Sequence, residues 1–216
     1  MRTYFITAND TEVGKTYVTG LLARYFSRKE QSVQIVKAVE CGDSGDAEWA
    51  RKFADSDQVT AHRLLHYPAP LAPLADENVA RGTPSLAAII NELEKLPKAD
   101  IRLIEGAGGV AVPIDPNGQD WLDLIDAILP DKVIAVVDNR LGSINQSRLL
   151  HNYLGNRPHA FVLNEVSPAD AAVKASNQAA LSSHKLPLLG CVKPSSKVID
   201  FSDLSLLDSS NADQKR

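Results

Sequence analysis

The sequence is poor in cysteine and contains no long apolar run, and both absences narrow the class of protein. Its two cysteines, Cys41 and Cys191, are far apart and show no metal-binding spacing, so we expect neither a disulfide framework nor a zinc site. No apolar stretch approaches the length of a membrane span. A strand pattern begins within the first residues, so we expect no signal peptide and a cytoplasmic location.

Positive charge is not in excess either. The 216 residues include 23 Lys and Arg against 27 Asp and Glu, and this net charge of −4 argues against a nucleic-acid-binding surface. An anionic ligand would therefore be held by local features. The length and the hydrophobic content of 44% suit one globular α/β domain. We expect this domain over residues 1–207 and a flexible polar tail over residues 208–216.

The most informative stretch, residues 10–16, reads Asp-Thr-Glu-Val-Gly-Lys-Thr. It follows a strand pattern at residues 3–7 and precedes a helical pattern over about residues 15–28. A strand, a tight loop ending in Gly-Lys-Thr and a helix form the setting of a phosphate-binding loop. Lys15 would lie near the β- and γ-phosphates of a nucleotide, and Thr16 would offer a hydroxyl to Mg²⁺.

Further strand and helix patterns alternate along the chain. Strands are predicted at residues 33–39, 101–105, 110–114, 133–137, 160–165 and 188–192. Helices are predicted at residues 47–53, 74–80, 86–96 and 169–183, and from residue 144 or 145, with Asp46, Ser85 and Ser143 as candidate N-caps. This alternation predicts a mostly parallel sheet with helices on both faces, as in phosphate-loop NTPases.

Polar clusters follow these strands at the edge where ligands bind in open α/β sheets. They lie at residues 11–16, 37–41, 105–108, 139–145 and 164–165. Glu105 ends an apolar strand and opens a glycine-rich turn, and nucleotide hydrolases use an acidic residue at such a position to hold Mg²⁺. We therefore expect one composite site at this edge.

These clusters, in this order, resemble the dethiobiotin synthetase family. Residues 10–16 match the family's phosphate loop letter for letter, and residues 105–109 match its Glu-Gly-Ala-Gly-Gly. Residues 37–39 are similar to its Lys-Pro-Val, residues 142–145 to its Gly-Cys-Ile-Asn, and residues 164–165 to its Asn-Asp. The matches span residues 3 to about 194.

The resemblance implies an ATP- and Mg²⁺-dependent ligase of biotin biosynthesis. Such an enzyme forms a ureido ring from 7,8-diaminopelargonic acid and CO₂, giving dethiobiotin, ADP and phosphate. The resemblance also implies a homodimer with the site at the subunit interface, and small-molecule partners only, without nucleic acid or membrane.

The resemblance further assigns roles to individual residues. Lys37 and Lys15 would be catalytic, and Thr16, Asp46 and Glu105 would bind Mg²⁺. The nucleotide-binding set is Glu12, Val13, Gly14, Lys15, Thr16, Tyr17, Asp46, Glu105, Gly106, Ala107, Gly108, Asn164, Glu165, Val192, Lys193 and Pro194. The substrate-binding set is Thr11, Cys41, Gly142, Ser143, Ile144 and Asn145, the last four serving the partner subunit.

The chain departs from the family pattern at four positions. Ala8 replaces a loop Gly, Ala38 a Pro, Cys41 a common Ser, and Glu165 an Asp. The segment between Lys37 and Asp46 is short, so Asp43 is the alternative acidic ligand for Mg²⁺. Because Lys37 is expected at a sheet edge, we expect Lys37→Ala to abolish turnover and largely spare the fold.

Two other functions remain open at this point. Another phosphate-loop ligase could activate a carboxylate by phosphorylation before nitrogen attacks it. A nucleotide-switch ATPase of the partitioning or septum-site type is less compatible, because that type carries an additional Lys early in the loop, where Ala8, Asn9 and Asp10 stand here.

Overall fold

Runs of β-branched and aromatic residues alternate with amphipathic runs, and most form the element that their periodicity favours. The computed structural model describes residues 1–80 and 82–208. The strands are β1 (Arg2–Ala8), β2 (Val33–Cys41), β3 (Val59–Tyr67), β4 (Ile101–Glu105), β5 (Lys132–Asp138), β6 (His159–Asn164), β7 (Leu188–Val192) and β8 (Asp200–Phe201). The helices are α1 (Lys15–Ser27), α2 (Asp46–Ala54), α3 (Asp76–Val79), α4 (Leu86–Lys95), α5 (Trp121–Ile128), α6 (Ser143–Leu154), α7 (Ala171–Ser183) and α8 (Ser205–Asp208).

The strands form one sheet in the order β3-β2-β4-β1-β5-β6-β7-β8. The neighbouring strands are parallel, except that β7 and β8 are antiparallel. Strands β4, β5 and β6 are buried along their whole length, which is typical of parallel strands covered on both faces. The carboxyl ends of β1, β2 and β4 therefore meet at one edge of the sheet.

Helices cover both faces of this sheet. Alternate residues of β1 serve opposite faces: Ile6 packs in one hydrophobic core with Leu22 of α1, and Phe5 packs in the other with Trp121 of α5. The predicted fold, a mostly parallel sheet with helices on both faces, is confirmed.

Two N-caps and one strand were predicted wrongly. Helix α2 begins at Asp46 itself and α6 at Ser143, so Gly45 and Gly142, both at positive φ, take the N-cap positions. Residues 110–114 are not a strand but a turn followed by irregular backbone. The Val110 amide donates to the Ala8 carbonyl at 2.8 Å, which attaches this loop to the end of β1.

The remaining differences are elements that were not predicted or that differ in length. Strands β3 and β8 and helices α5 and α8 were not predicted, and α3 is shorter than the helix expected over residues 74–80. The predicted flexible tail began at residue 208, which closes α8; residues 209–216 lie outside the described residues. Within residues 1–80 and 82–208, no helix combines the length and the apolar character that a membrane span needs.

Candidate active site

The phosphate-binding loop connects the end of β1 to the start of α1. Gly14 precedes α1 with φ at 88°, a conformation that favours glycine. A Cβ on Gly14 would lie 2.1 Å from Nδ2 of Asn164, so space also requires glycine here. Ala8, by contrast, is the last residue of β1, and its methyl group is fully buried in the core. The methyl group that Ala8 adds in place of the family's Gly therefore packs in the core of the fold.

Two lysines and two carboxylates meet beside this loop. Strands β2 and β4 pair in parallel with Lys37 opposite Glu105. Nζ of Lys37 lies 2.7 Å from Oε1 of Glu105 and 2.6 Å from Oδ2 of Asp46. The Thr16 hydroxyl donates to the same Glu105 oxygen at 2.8 Å, and Nζ of Lys15 donates to the Asp10 carbonyl at 2.9 Å. Two of the three predicted Mg²⁺ ligands, Asp46 and Glu105, therefore contact the Lys37 ammonium, and the third, Thr16, is bonded to Glu105.

The environment changes how these groups hold their protons. Burial lowers the pKa of Lys15 to about 8, against the opposing effect of the Glu105 carboxylate. Burial alone would also lower the pKa of Lys37, but the Glu105 and Asp46 carboxylates raise it above its usual value. The pKa of Asp46 would be raised by burial, and the Lys37 ammonium holds it below the usual range. Lys37 and Asp46 are therefore a charged pair at neutral pH.

Lys37 is buried inside the sheet and not at the exposed position that the expectation for Lys37→Ala assumed. Strand β2 lies between β3 and β4, and Lys37 is only 5% exposed. Removing its ammonium would leave Glu105 and Asp46 without their shared counter-ion, and a buried charge without a partner destabilises a fold strongly. The expectation that Lys37→Ala largely spares the fold therefore loses its physical basis.

The second glycine-rich loop packs directly against the first. A Cβ on Gly109 would lie 2.9 Å from the Asn9 carbonyl oxygen, so the two backbones are in close contact. Nε1 of Trp121 donates to the Ala107 carbonyl at 2.7 Å, and the Trp121 ring lies against Gly106. Helix α5, which the sequence did not predict, thus fixes the loop that follows Glu105.

An open cleft of about 590 Å³ lies over these two loops. The predicted site residues that line it are Thr11, Glu12, Gly14, Lys15, Thr16, Lys37, Cys41, Asp46, Glu105, Ala107 and Gly108. The cleft also has a lining that was not predicted as part of the site, namely Glu40, Ser44, Val112 and residues 70–73. Glu40 belongs to the polar cluster expected at residues 37–41. The proline-rich composition of residues 68–73 is compatible with either a substrate loop or a simple connection, and the sequence left both open.

The late members of the predicted nucleotide-binding set, Asn164, Glu165 and residues 192–194, which the family resemblance assigns to adenine, are not part of the cleft lining. Nδ2 of Asn164 donates to the Val13 carbonyl at 2.9 Å, and the Glu165 amide donates to the Val192 carbonyl at 2.9 Å. The Tyr17 hydroxyl donates to the Ser196 carbonyl in the segment that follows Lys193 and Pro194. These contacts bring the predicted adenine-binding residues beside the start of α1.

The start of α6 lies outside the cleft of its own chain. Ser143 is fully buried, and its hydroxyl donates to the Asp138 carbonyl at 2.5 Å, so this side chain is engaged within its own chain. Gly142 and Asn145 are exposed, and Ile144 is half-buried. Leu141, which precedes them, is 80% exposed. A role for residues 142–145 in substrate binding therefore requires a second subunit.

The oxygen atoms around Lys37 suit a Mg²⁺ ion that is shared with a bound nucleotide better than a metal ion whose ligands all come from the protein. In the part of the chain that the structure describes, no group of three or more His, Cys, Asp or Glu side chains could hold a metal ion. Thr16, Asp46 and Glu105 offer hard oxygens, and Mg²⁺ commonly uses one or two carboxylates together with substrate phosphates and water. The Asp43 side chain is 84% exposed and contacts Nε2 of His66 at 3.1 Å, so the geometry favours Asp46.

The chain is similar in sequence to several curated proteins that share one name. A family model described as an AAA domain matches residues 2–201. The ATP-dependent dethiobiotin synthetase BioD of Parafrankia sp. is 34% identical over 164 residues, which cover 73% of this chain and 67% of the relative. The protein of the same name from Hydrogenobaculum sp. is 33% identical, and the match covers 74% of this chain and 75% of the relative. The one from Mycobacterium avium is 36% identical, and the match covers 69% of this chain and 67% of the relative.

Solved structures show the same fold at low sequence identity. Chloroplast FtsY from Physcomitrella patens has a TM-score of 0.60 at 15% identity, with 96% of this chain and 64% of that chain covered. Signal recognition particle 54 kDa protein from Aeropyrum pernix has a TM-score of 0.53 at 17% identity, with 91% and 42% covered. These similarities support the phosphate-loop NTPase fold and nothing more specific.

Proposed function

Because the chain belongs to the dethiobiotin synthetase family of ATP-dependent ligases that form carbon–nitrogen bonds, we propose that it converts 7,8-diaminopelargonic acid, CO₂ and ATP into dethiobiotin, ADP and phosphate. One observation supports this most directly. A buried lysine, Lys37, lies between Asp46 and Glu105 next to a phosphate-binding loop and faces an open cleft.

The proposed reaction balances without a further reactant. One amine of the substrate attacks CO₂ and loses a proton, which leaves a carbamate. A carbamate oxygen attacks the γ-phosphorus of ATP, and the bond between that phosphorus and the bridging oxygen of ADP breaks. The second amine then attacks the carbonyl carbon, the carbon–oxygen bond to the phosphoryl group breaks, and phosphate and one proton leave as the ring closes.

The residues of the cleft supply positioning and charge, which are the main requirements of phosphoryl transfer. Backbone N–H groups of the loop and of the start of α1 would hold the phosphates, since a helix N-terminus favours negative charge. Lys15 would contact the terminal phosphates, and Lys37 would stabilise the carbamate and the transferring phosphoryl group. Thr16, Asp46 and Glu105 would hold Mg²⁺, which, when bound, neutralises charge on the phosphate oxygens.

The rest of the ligand would extend in two directions. Asn164, Glu165 and the turn at residues 192–194 are proposed to bind adenine, because their contacts place them beside the loop. The start of α6 from the second subunit of a homodimer is proposed to bind the substrate carboxylate, by the anion preference of a helix N-terminus. Leu149, 61% exposed, and Tyr153, 40% exposed, offer apolar surface on α6 for that interface.

The test is a direct assay of the purified protein. It is incubated with 7,8-diaminopelargonic acid, ¹³C-bicarbonate and MgATP, and the products are followed by mass spectrometry. We expect dethiobiotin carrying the label at its ureido carbon, formed in step with ADP and only when the diamine is present. Lys37→Ala should form none. Lys95→Ala is the matched control, because Lys95 pairs with Glu92 at 2.6 Å on the exposed face of α4.

The negative outcomes separate the alternatives. ADP formed without dethiobiotin, at a rate independent of the diamine, would favour a nucleotide-switch ATPase. If the protein binds nucleotide but forms neither ADP nor dethiobiotin, the phosphate loop would still be a nucleotide site. That result would favour another phosphate-loop ligase, one that joins a different carboxylate and amine. Labelled dethiobiotin produced equally by Lys37→Ala would contradict the role given to Lys37.

A further inference from the structure

Glu40 is a buried carboxylate in the wall of the cleft, outside every set of site residues predicted above. It is 2% exposed, and both of its oxygens have partners. Oε1 accepts hydrogen bonds from the Ser44 hydroxyl at 3.0 Å and from the Asp46 amide at 2.9 Å. Oε2 accepts from Nη1 of Arg63 at 2.7 Å. A charged group so buried and so fully bonded has a defined position.

The contacts of Glu40 determine how β2 leads into α2. The connection is short, and it contains Gly42 and Gly45 at positive φ of 82° and 63°. The N-cap of α2, Gly45, has no side chain to accept from the free amides of the first turn. The Glu40 carboxylate accepts from the first of these amides, that of Asp46, and a negative charge at a helix N-terminus is favourable. Glu40 therefore holds the first residue of α2 from the neighbouring strand.

Arg63 completes the arrangement from the adjacent strand. It lies on β3, opposite Lys37 in the strand register, with its side chain 43% exposed. The three donors reach the Glu40 carboxylate from three directions: Nη1 of Arg63 from β3, the Ser44 hydroxyl from the connection, and the Asp46 amide from the start of α2. This geometry ties strand, connection and helix to one side chain.

Asp46, the residue held in this way, contacts Lys37 at 2.6 Å. We propose that Glu40, anchored by Arg63, is a positioning residue that fixes Asp46 against Lys37 for the reaction, an inference that rests on the proposed function of Lys37. Its three hydrogen bonds leave Glu40 engaged with the protein and not with the substrate. Partners of this indirect kind change metal affinity or activity about 10- to 100-fold when they are removed.

The test compares two glutamates that pair with an arginine near α2. Glu40→Ala removes the support of Asp46. Glu48→Ala is the control: Glu48 pairs with Arg51 at 2.7 Å, on the exposed face of the same helix. We expect Glu40→Ala to lower kcat by about 10- to 100-fold with KM values for ATP and diamine nearly unchanged, the pattern of an interaction needed in the transition state. Glu48→Ala should behave as wild type.

Two further variants separate positioning from a general structural effect. On an Asp46→Asn background, Glu40→Ala should lower kcat little further, because the two residues would act as one unit. Glu40→Gln keeps an oxygen for Ser44 and the Asp46 amide but presents an NH₂ group to Arg63, which cannot accept its hydrogen bond, so it should recover only part of the activity. If Glu40→Ala fails to fold, the kcat of Glu40→Gln tests the positioning role in its place. Full additivity in the double variant, or a kcat of Glu40→Ala equal to that of Glu48→Ala, would overturn the proposal.

Hydrogen exchange in the free protein provides a readout that needs no substrate. In Glu40→Ala, amides at the start of α2 should exchange faster than in wild type and in Glu48→Ala, with the exchange of β4 unchanged. Unchanged exchange at the start of α2 would contradict the positioning role. If wild type forms no dethiobiotin but this exchange effect is present, the proposed function fails and the contact made by Glu40 stands.

Discussion

Replacing Gly14 by Ala should destabilise the protein more than the same change at an ordinary left-handed glycine. Two effects act together at this position. The backbone has φ at 88°, and the new methyl group would come 2.1 Å from Nδ2 of Asn164. Asn164 is 4% exposed and donates to the Val13 carbonyl, so it cannot move without giving up that hydrogen bond.

The magnitude follows from these two effects. A non-glycine residue in the left-handed region costs about 1–2 kcal/mol. Leaving the buried Val13 carbonyl without its donor costs about 1–3 kcal/mol more. We therefore expect Gly14→Ala to lower the free energy of unfolding by about 2–5 kcal/mol. Gly118 has φ at 82° and no atom within 4 Å of an added Cβ, so Gly118→Ala should incur the first cost alone.

Urea unfolding of four variants would measure both terms. Gly14→Ala, Gly118→Ala, Asn164→Ala and the double variant of Gly14 and Asn164 are compared with wild type. In the double variant no amide remains to be displaced, so the cost of Gly14→Ala should fall to that of Gly118→Ala, a coupling of about 1–3 kcal/mol. Equal losses in Gly14→Ala and Gly118→Ala, within about 0.5 kcal/mol, would refute the contact between the loop and Asn164.

Three further predictions concern charges. Lys37→Ala should lose about 3–5 kcal/mol of stability in urea at pH 7, because the buried Glu105 carboxylate and the partly exposed Asp46 carboxylate lose their shared counter-ion; a loss below about 1 kcal/mol would contradict this. Asp46→Asn should lower kcat about tenfold or more, as expected for a ligand of the metal, and Asp43→Asn should not; the reverse order in the same assay would make Asp43 the ligand. Burial lowers the pKa of His159, so on acidification the unfolded chain takes up a proton before the folded chain does. As the pH drops below about 6.5, the free energy of unfolding should therefore decrease by up to about 1.4 kcal/mol per pH unit. Acid unfolding of His159→Gln should lack that contribution, and equal slopes would contradict the assignment.

The sequence predicted best where a local rule and the tertiary structure agree. Ser85 was expected to cap a helix, and it does, accepting from the Ala88 amide at 3.1 Å. Asp46 and Ser143 matched the same rule and are not caps, because other partners take their side chains. Asp46 pairs with Lys37, and Ser143 bonds to the Asp138 carbonyl. A side chain with a stronger distant partner leaves the local role to glycine.

Two of the wrongly predicted segments lack a decisive signal, whereas α5 carried one that was missed: Asp120 and Asp123 form a capping box, and apolar residues recur at helical spacing after it. Strand β3 is an edge strand with only its first and last residues buried, so it carries neither an apolar run nor clean alternation. The segment after Gly109 has a strand-like composition, but its first amide, at Val110, bonds to the end of β1. Whether a β-prone run joins a sheet depends on whether an edge is free beside it, and a sequence does not show this.

The cluster around Lys37 could be predicted only in part from the sequence, because its geometry depends on the register between two strands. Lys37 and Glu105 were both expected at strand ends, but only the pairing of β2 with β4 makes them neighbours. Lys37 pairs with both Glu105 and Asp46, whereas Nζ of Lys15 donates to the backbone carbonyl of Asp10. The two lysines therefore differ, because the charge of Lys37 is already balanced by carboxylates and that of Lys15 can meet an incoming anion. A triphosphate carries more negative charge than one ammonium can balance, so a further cation such as Mg²⁺ would accompany the nucleotide in the proposed reaction.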